Sequence, residues 1–541
     1  MSDWWRGAVV YQIYPRSFQD DSGDGIGDLP GITRRLPHIA DLGADAIWLS
    51  PIFTSPMADM GYDVSNYTDI DPLFGTLADF DALVARAHDL GLKVIIDQVL
   101  SHTSDRHPWF TESRADKTNP RADWYVWADP NPDGTPPNNW LSVFGGPAWE
   151  WDTRRRQFYL HNFLSAQPDL NFHQPAVQDA LLETMRFWLE RGVDGFRLDT
   201  VNFYFHDAAL RSNPPWPQPD GRPAVNPYEM QTHLHSKTQP ENIGFLQRMR
   251  ALLDRYDARA MVGEVGESQR ALQVMEEYTR GEDRLHMAYS FEMLGPDFTP
   301  AHFRRQIDGF FTDAPDGWPW WSFSNHDVQR HVTRWADHGK DADSLAKLAI
   351  ALLIGFEGTI GLYQGEELGQ TETDLLYEEL TDPPGLKFWP ENKGRDGCRT
   401  PMVWETGRPN AGFTTGTPWL PVKPPQAARA VDVQAADAGS VLHAYRAALA
   451  FRKAEPLLRR GRTRFLDLPE PILGFTRHDR QAALTCLYNL SPHPVSLVVA
   501  GEWKQVGPSA GVTATGTGLK LGPNGYGFFA SSVDSVPRVT G

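Results

Sequence analysis

Short runs of apolar, mostly β-branched residues alternate with amphipathic stretches along most of the chain. The apolar runs, which predict strands, cover residues 9–15, 46–50, 93–99, 193–200, 260–265, 288–292, 321–325 and 359–363. Helical periodicity, with apolar residues every three or four positions, is found in residues 80–90, 176–191, 244–256 and 344–353. Eight strands alternating with helices predict an α/β fold, and a (β/α)₈ TIM barrel rather than an open doubly wound sheet.

Two stretches interrupt this alternation. Residues 104–170 lack helical periodicity and are rich in Pro, Asn, Asp, Gly and Trp. Because loops of this length are usually functional or form their own subdomain, we predict an inserted subdomain B after the third strand. A second irregular stretch, residues 365–430, follows the eighth strand. The barrel is therefore assigned to residues 1–103 and 171–459.

The pattern changes again near residue 460. From there, short strands of alternating apolar and polar residues are separated by turn residues. They cover residues 471–477, 483–490 and 495–499. This spacing is typical of a small all-β unit, and we predict a C-terminal β-sandwich domain over residues 460–541.

Charge and composition narrow the range of partners. The 541 residues include 69 acidic and 51 basic side chains, a net charge of −18. Nucleic acids and anionic membranes bind basic surfaces, so neither is an expected partner, and a neutral or cationic small molecule is favoured. The chain has no signal-peptide pattern, and its longest apolar run, residues 348–356, is too short to span a membrane. We expect a soluble, cytoplasmic protein; the sequence leaves its oligomeric state open.

Charged residues lie at the ends of four predicted strands. They are Asp97 and His102 at the third strand, Arg197 and Asp199 at the fourth, Glu264 at the fifth, and His326 and Asp327 at the seventh. In a barrel of this type the reactive groups lie at the C-terminal ends of the strands. A single acid there is often only a helix cap, whereas several acids together indicate a reactive site.

Paired carboxylates suit the hydrolysis of a glycosidic bond. One attacks the anomeric carbon and a second acid protonates the leaving oxygen, with the two about 5–5.5 Å apart in retaining enzymes. Arg197 lies two residues before Asp199, on the same face of the strand, and would keep that carboxylate ionised and nucleophilic. Acids close to Glu264 would raise its pKa, as a general acid requires.

Several segments resemble the characteristic regions of the α-amylase family of glycoside hydrolases (family 13). They are Asp97-Gln-Val-Leu-Ser-His102, Gly195-Phe-Arg-Leu-Asp199, Glu264 after Val-Gly, and Asn325-His-Asp327. Others resemble the branch that contains oligo-1,6-glucosidases and exo-acting α-glucosidases. These are Val10-Tyr-Gln-Ile-Tyr-Pro-Arg-Ser-Phe18, Gly61-Tyr-Asp-Val-Ser-Asn-Tyr67 and Tyr363-Gln-Gly-Glu-Glu-Leu-Gly369. The resemblance extends over nearly the whole chain.

The resemblance implies a role for each acid. Asp199 would be the nucleophile, Glu264 the general acid/base, and Asp327 the acid that binds the 2- and 3-hydroxyls of the sugar in the transition state. Further sugar contacts are implied for His102, Arg197 and His326.

A second pair, Asp63 and Arg399, looks like the one that holds the non-reducing glucose and closes the pocket in this branch. Taken alone, Asp63 could equally be a turn acid and Arg399 an exposed loop arginine. A closed pocket predicts that one terminal glucose is removed at a time and that cleavage inside a chain is disfavoured.

Three further residues are predicted to contact substrate. Thr200 follows the nucleophile, where the branch associates valine with α-1,6 cleavage and threonine or alanine with α-1,4 cleavage; its hydroxyl could also bind an acceptor. Phe144 and Phe163, in the inserted stretch, are expected to stack on sugar faces. Packing in the core is the alternative role for both rings.

The segment Asp20-x-Ser22-x-Asp24-x-Ile26-x-Asp28 predicts a cation site. Alternate oxygen ligands in a glycine-containing loop suit calcium, or magnesium, with Ile26 supplying its backbone carbonyl. The loop resembles part of an EF-hand but lacks its terminal bidentate Glu. The branch commonly carries calcium here, with Asn in place of Ser22. An acidic turn without metal is the alternative.

Together these features predict a retaining exo-α-glucosidase that releases α-glucose from short, maltose-like α-1,4-glucosides. Because a covalent glucosyl-enzyme can react with water or another hydroxyl, glucosyl transfer is also expected. One alternative is a sucrose-isomerising or glucan-forming glucosyltransferase of the same fold, although Trp335-Ala-Asp-His-Gly-Lys340 stands where sucrose isomerases have an Arg-rich loop. The other is a non-catalytic carbohydrate-binding or transporter-associated relative, which would not need both Asp199 and Glu264.

Overall fold

The protein is described by a computed structural model that covers residues 3–217, 224–500, 503–516, 518–533, 536 and 538–540. Eight parallel strands form its central sheet. They are β1 Val9–Ile13, β2 Ala46–Leu49, β3 Lys93–Gln98, β4 Gly195–Leu198, β5 Ala260–Val265, β6 Met287–Ser290, β7 Trp320–Ser322 and β8 Thr359–Tyr363. The strands are hydrogen-bonded in the order β6-β5-β4-β3-β2-β1-β8-β7. A parallel bridge between Ala288 and Pro319 joins the two edges, so the sheet forms a nearly closed barrel.

The predicted barrel is confirmed. β5 and β8 have the predicted bounds, and the other strands are shorter or displaced at their ends. β4 was expected to continue to residue 200 but ends at Leu198, because Thr200 adopts a left-handed backbone conformation that no strand can continue. Nearly all strand residues are buried, as expected for strands covered by helices outside and packed side chains inside.

Helices surround the barrel and cover the loops at its C-terminal end. They are α1 Leu29–Leu42, α2 Leu77–Asp89, α3 Pro108–Ala115, α4 Pro175–Glu190, α5 Asn242–Leu253, α6 Ala271–Thr279, α7 Pro300–Asp313, α8 His331–Arg334, α9 Ala342–Gly355, α10 Pro383–Phe388, α11 Asp396–Arg399, α12 Pro424–Ala427, α13 Val431–Ala436, α14 Val441–Ala454 and α15 Pro456–Arg460. Local sequence fixes their starts: Thr76 and Asp79 form a capping box at α2, and Asp341 caps α9.

The stretch after β3 has its own small core. Three antiparallel strands, Trp127–Ala128, Trp149–Asp152 and Gln157–Leu160, pack their aromatic side chains together. Where the stretch leaves and rejoins the barrel, His102 and Asp169 form an antiparallel bridge. His102 is thereby fixed at the base of the insertion, beside the C-terminal end of β3.

The C-terminal strands, predicted as a sandwich, form one hydrogen-bonded antiparallel sheet. They are β9 Arg462–Phe465, β10 Ile472–His478, β11 Ala482–Asn489, β12 Val495–Ala500, β13 Lys504–Thr515, β14 Gly518–Ser532 and β15 Arg538–Thr540. The long strand β14 pairs with β13 along one edge and with β11 and β12 along the other. Cys398 and Cys486 are both buried free thiols. No helix in the described ranges has the length and apolar character needed to cross a membrane.

Candidate active site

A cavity of about 620 Å³ opens at the C-terminal ends of the barrel strands. Asp199, Glu264 and Asp327 all line it, as their positions at strand ends predicted. A largely aromatic wall faces these acids and comes from the insertion after β3 and from the loops after β4 and β6. It consists of Val143, Phe144, Phe163, Phe203, Trp216, Tyr228 and Phe291. The cavity thus combines a group of carboxylates with rings of the kind that pack on sugar faces.

Arg197 is fully buried at the centre of the acids. Its Nη1 donates to Asp199 Oδ1 at 2.7 Å and to Asp97 Oδ1 at 2.9 Å. Its Nη2 donates to Glu264 Oε2, and Tyr289 donates its hydroxyl to the same oxygen at 2.7 Å. A single guanidinium therefore holds the carboxylates of Asp97, Asp199 and Glu264 close together. The sequence had predicted such proximity only for Arg197 and Asp199, which were expected on the same face of one strand.

Burial and mutual repulsion make these acids hard to ionise. Burial raises the pKa of Glu264 to about 7, against the opposing charge of Arg197, and Asp199 and Asp327 raise it further. Burial likewise raises the pKa of Asp199 to about 7, and Arg197 again opposes the shift. Such acids titrate as a group, so the cluster can hold one proton near neutral pH while another carboxylate stays charged.

Asp327 is the strongest acid of the set. Burial would raise its pKa, but His326, Arg395 and Arg399 outweigh that effect and hold the pKa well below the ordinary range. Arg399 Nη2 donates to Asp327 Oδ1 at 3.0 Å, and Arg395 Nη1 donates to the same oxygen at 3.2 Å. Asp327 is thus an anion near neutral pH and can accept hydrogen bonds from hydroxyls of a ligand.

His326 lies beneath the cavity rather than among its lining residues. Its Nδ1 is 2.8 Å from the Gln12 amide nitrogen, and its ring stacks on Tyr62 with centroids 5.3 Å apart. The Tyr62 hydroxyl also bonds its Nε2. His326 therefore supports the cavity floor through Tyr62, a lining residue that sequence reasoning missed.

The assignment of Asp63 and Arg399 as the glucose-holding pair is not what the structure shows. The Asp63 carboxylate is fully buried and accepts hydrogen bonds from the Ser55 hydroxyl and from two backbone N–H groups of its own turn. Asp59, four residues earlier, lines the cavity instead and bonds Arg395 at 2.8 Å. Arg399 points under Asp327 and donates to the His326 carbonyl oxygen.

The correction follows from loop geometry. Asp59 and Asp63 lie in one turn, and Arg395 and Arg399 lie one helical turn apart, so composition alone could not separate the members of each pair.

The remaining predicted contacts line the cavity. Phe144 and Phe163 meet edge to face with centroids 5.6 Å apart, and the Arg395 guanidinium carbon lies 5.0 Å from the Phe144 centroid. His102 and Thr200 line it as well, next to the nucleophile candidate. Thr200 has φ +40° and ψ 49°, a conformation that costs a β-branched residue about 1–3 kcal/mol and is found mostly at functional sites.

One wall of the cavity was not predicted at all. Residues of the loop between β4 and α5 line it, including Tyr228, His233 and Lys237. Tyr228 and His233 stack with centroids 3.8 Å apart, and Lys237 donates to the Gly266 carbonyl oxygen at 2.6 Å. This loop lacks apolar periodicity and any motif, so the sequence offered no signal for it.

The predicted cation loop lies away from the cavity and is closed by its own hydrogen bonds. The Asp20 carboxylate accepts hydrogen bonds from the hydroxyls of Ser22 and Thr414 and from the backbone N–H groups of Gly23 and Gly25. These four bonds occupy the lone pairs of both carboxylate oxygens. Asp28 caps α1 and also accepts from two N–H groups of the loop, while Asp24 accepts from Ile26.

Across the described ranges, no group of three or more His, Cys, Asp or Glu side chains is placed to hold a metal. In this geometry the loop's own donors occupy the carboxylates of Asp20 and Asp28, and calcium at this loop stays a prediction.

The comparisons with known proteins agree with this geometry. Residues 12–461 match the family described as alpha amylase, catalytic domain. The chain is 62% identical over 495 residues to a probable alpha-glucosidase of Rhizobium meliloti strain 1021, covering 90% of each. It is 38% identical over 534 residues to an oligo-1,6-glucosidase of Heyndrickxia coagulans, covering 92% of this chain and 94% of the relative.

Solved structures show the same fold. The crystal structure of the alpha-glucosyl transfer enzyme XgtA superposes with a TM-score of 0.95 at 53% identity, covering 98% of this chain and 100% of that one. The trehalulose synthase MutB from Pseudomonas mesoacidophila MX-45 gives a TM-score of 0.87 at 32% identity, over 98% and 100% of the two chains. The chain therefore belongs to the α-amylase family of glycoside hydrolases, in its α-glucosidase and oligo-1,6-glucosidase branch.

Proposed function

We propose that the protein is a retaining exo-α-glucosidase that removes single glucose units from short α-glucosides. The observation that carries the proposal is the cluster of Asp199, Glu264 and Asp327 around Arg197 at the base of one cavity. Both Asp199 and Glu264 bond the same guanidinium, which suits the short separation that retaining enzymes need.

The first half-reaction forms a covalent intermediate. The Asp199 carboxylate attacks the anomeric carbon as the bond to the leaving oxygen breaks, and Glu264 gives its proton to that oxygen. The charge of Asp327 is placed to accept hydrogen bonds from ring hydroxyls as positive charge develops on the sugar. Tyr289, which donates to Glu264 Oε2, leaves the other oxygen of Glu264 to carry the proton.

The second half-reaction reverses these roles. Glu264, now ionised, takes a proton from water or from another hydroxyl, and the resulting oxygen attacks the anomeric carbon while Asp199 leaves. Two inversions give an α-configured product. Because an aromatic wall flanks the site, a bound acceptor can compete with water, and we propose glucosyl transfer alongside hydrolysis. The similarity to the alpha-glucosyl transfer enzyme XgtA supports this.

Substrate length and linkage follow from two contacts. We assign the terminal glucose to the ion pair of Asp59 and Arg395, both of which line the cavity and would obstruct a longer chain. The Thr200 hydroxyl, in the same lining, supports the α-1,4 preference through the pattern of the branch. A maltose-like disaccharide is the expected substrate.

Product analysis on a panel of glucosides tests this function. Maltose, isomaltose, sucrose, trehalose and longer maltodextrins are incubated separately, and the products are separated. Proton NMR of the first glucose formed should show the α-anomer. First-formed β-glucose would refute the retaining mechanism, and isomerised sucrose without glucose release would favour the sucrose-isomerising alternative.

A further inference from the structure

A chain of hydroxyl groups runs from a cavity histidine to the nucleophile. Ser101 Oγ lies 2.9 Å from His102 Nδ1 and 3.0 Å from Thr200 Oγ1. Thr200 Oγ1 in turn lies 3.3 Å from Asp199 Oδ2, the oxygen that Arg197 does not bind. Ser101 is 1% exposed and is not a lining residue of the cavity, so it contacts the site only through these neighbours.

The direction of these hydrogen bonds is set at the other side of His102. Gln167 Oε1 accepts the Leu164 N–H at 3.0 Å, which fixes the orientation of the amide group. Its Nε2 therefore points its two hydrogens at Asp59 Oδ2 and at His102 Nε2, each 3.1 Å away. Burial lowers the pKa of His102 to about 4, so the ring is neutral and carries one N–H.

With Nε2 accepting from Gln167, the single proton of His102 lies on Nδ1. Nδ1–H then donates to Ser101 Oγ, the Ser101 hydroxyl donates to Thr200 Oγ1, and the Thr200 hydroxyl donates to Asp199 Oδ2. Each hydroxyl accepts one hydrogen bond and donates one, so no donor on this path lacks an acceptor. The same direction follows from the other end of the chain, because the ionised Asp199 carboxylate can only accept: Thr200 donates to Oδ2, so it accepts from Ser101, and Ser101 accepts from Nδ1–H. Nε2 also lies 3.1 Å from the Tyr62 carbonyl oxygen, to which it does not donate in this tautomer.

The backbone of Thr200 supports the same conclusion. A β-branched residue with φ +40° is held there only when its surroundings demand it. This left-handed backbone, two residues after the end of β4, brings the Thr200 hydroxyl within reach of both Ser101 Oγ and Asp199 Oδ2.

We propose that Ser101 is a positioning residue that relays a directed hydrogen-bond chain from Gln167 and His102 through Thr200 to the nucleophile, favouring the ionised form of Asp199. The inference deepens the proposed function and rests on the nucleophile role of Asp199. Because Gln167 also bonds Asp59, the chain connects the proposed glucose-holding pair to the reacting carboxylate.

Other charged and titratable groups face Asp199 from several elements and set the background for any pH effect. They are Arg197 on β4, Asp97 from β3, Glu264 from β5, Asp327 after β7, and the hydroxyls of Tyr62, Tyr67 and Tyr204. None of them bonds Ser101, so its removal leaves these contacts in place.

The pH profile of kcat/KM tests the relay. A donated hydrogen bond stabilises the carboxylate, so Ser101→Ala should move the acidic limb to higher pH by about 0.5–1 unit. At pH values below the limb, kcat/KM of the variant should be about 3–10-fold lower than that of the wild type. At pH values above the limb, the two kcat/KM values should converge. Thr200→Val should shift the limb equally, and the double variant no further, because both changes break one chain.

Two matched variants separate the relay from simple packing. Ser101→Thr and Thr200→Ser keep each hydroxyl and should keep the wild-type limb. A loss of activity that is uniform across pH, an unmoved limb in Ser101→Ala, or additive shifts in the double variant would each overturn the proposal. If Ser101→Ala does not fold, the comparison of Thr200→Val with Thr200→Ser decides the matter alone.

A measurement without substrate distinguishes failure of the relay from failure of the proposed function. In protein labelled with ¹³C at the aspartate carboxyl, the Asp199 signal is identified by its loss in Asp199→Asn. Its titration midpoint should be higher in Ser101→Ala than in the wild type, whatever the enzyme acts on. Equal midpoints would contradict the relay even in an active α-glucosidase.

Discussion

Buried arginines in two regions of the molecule have different partners. Arg197, at the C-terminal ends of the strands, is surrounded by carboxylates. Arg452 on α14 and Arg477 on β10, where the barrel meets the C-terminal sheet, are equally buried. They donate only to backbone carbonyl oxygens, Arg452 to four and Arg477 to three.

The partners decide what each arginine does. Carboxylates outweigh the burial of Arg197 and raise its pKa, so the site keeps several charges whose balance can shift during a reaction. Burial lowers the pKa of Arg452 to about 9, because carbonyl dipoles compensate less than anions do. One arginine organises reactive groups; the other two connect segments that are distant in sequence.

The largest expected effect is on turnover. Asp199→Asn removes the attacking carboxylate while keeping its shape, so kcat should fall on the order of 10⁴-fold. Circular dichroism should show an unchanged fold, since Asn can still accept from Arg197. Substantial turnover in a folded variant would show that another group is the nucleophile.

Replacing Arg395 tests the corrected pair. Lysine lacks the forked guanidinium with which Arg395 binds Asp59, Asp327 and Asp382. In Arg395→Lys, kcat/KM for maltose should therefore fall about 10²-fold. Arg408→Lys, in the same irregular stretch, is the matched control because its side chain is 69% exposed and pairs only with Glu405. A comparable loss of kcat/KM in the Arg408→Lys control would show that the effect is not specific to Arg395.

Because the site carries charges that must balance, activity should have a narrow pH optimum. Asp199 must be ionised, so activity falls as pH drops below its raised pKa of about 7. Glu264 must be protonated, so activity falls as pH rises above its own raised pKa of about 7. A bell-shaped kcat/KM profile centred near pH 7 is expected, with about tenfold loss per unit on either limb. A flat profile from pH 5 to 9 would contradict the coupled acids.

Replacing a buried arginine where the barrel meets the C-terminal sheet should lower the stability of the protein and leave its catalytic rate unchanged. Arg477→Met leaves three buried carbonyl oxygens without a donor, so the free energy of unfolding should drop by about 2–4 kcal/mol. Urea denaturation measures the drop. Activity per folded molecule at 25 °C, far below unfolding, should match the wild type; a change in kcat would mean that the two regions are coupled.

The smallest effect is expected from removing divalent cations. Since Asp20 and Asp28 are occupied by the loop's own donors, excess EDTA should move the Tm by less than about 1 °C. Re-addition of calcium serves as the control. A fall of several degrees that calcium reverses would confirm the predicted cation site at this loop.

Much of this protein was determined by the sequence alone. Apolar runs such as Ala260–Val265 are typical of strands buried on both faces, and eight of them alternating with helices favour a barrel. Once the barrel is known, acids at strand ends must converge. Asp199, Glu264 and Asp327 therefore followed from their positions, and the family's motifs supplied their roles.

The tertiary structure alone decided what the loops present. Asp59 and Asp63 share one turn, yet only one reaches the cavity, because the other is enclosed by N–H groups of the turn itself. Asp20 and Asp28 have the spacing of metal ligands, and only the structure shows that backbone N–H groups of their own loop donate to both. Side-chain type fixes what a residue can bind; the path of the backbone fixes which partner is within reach.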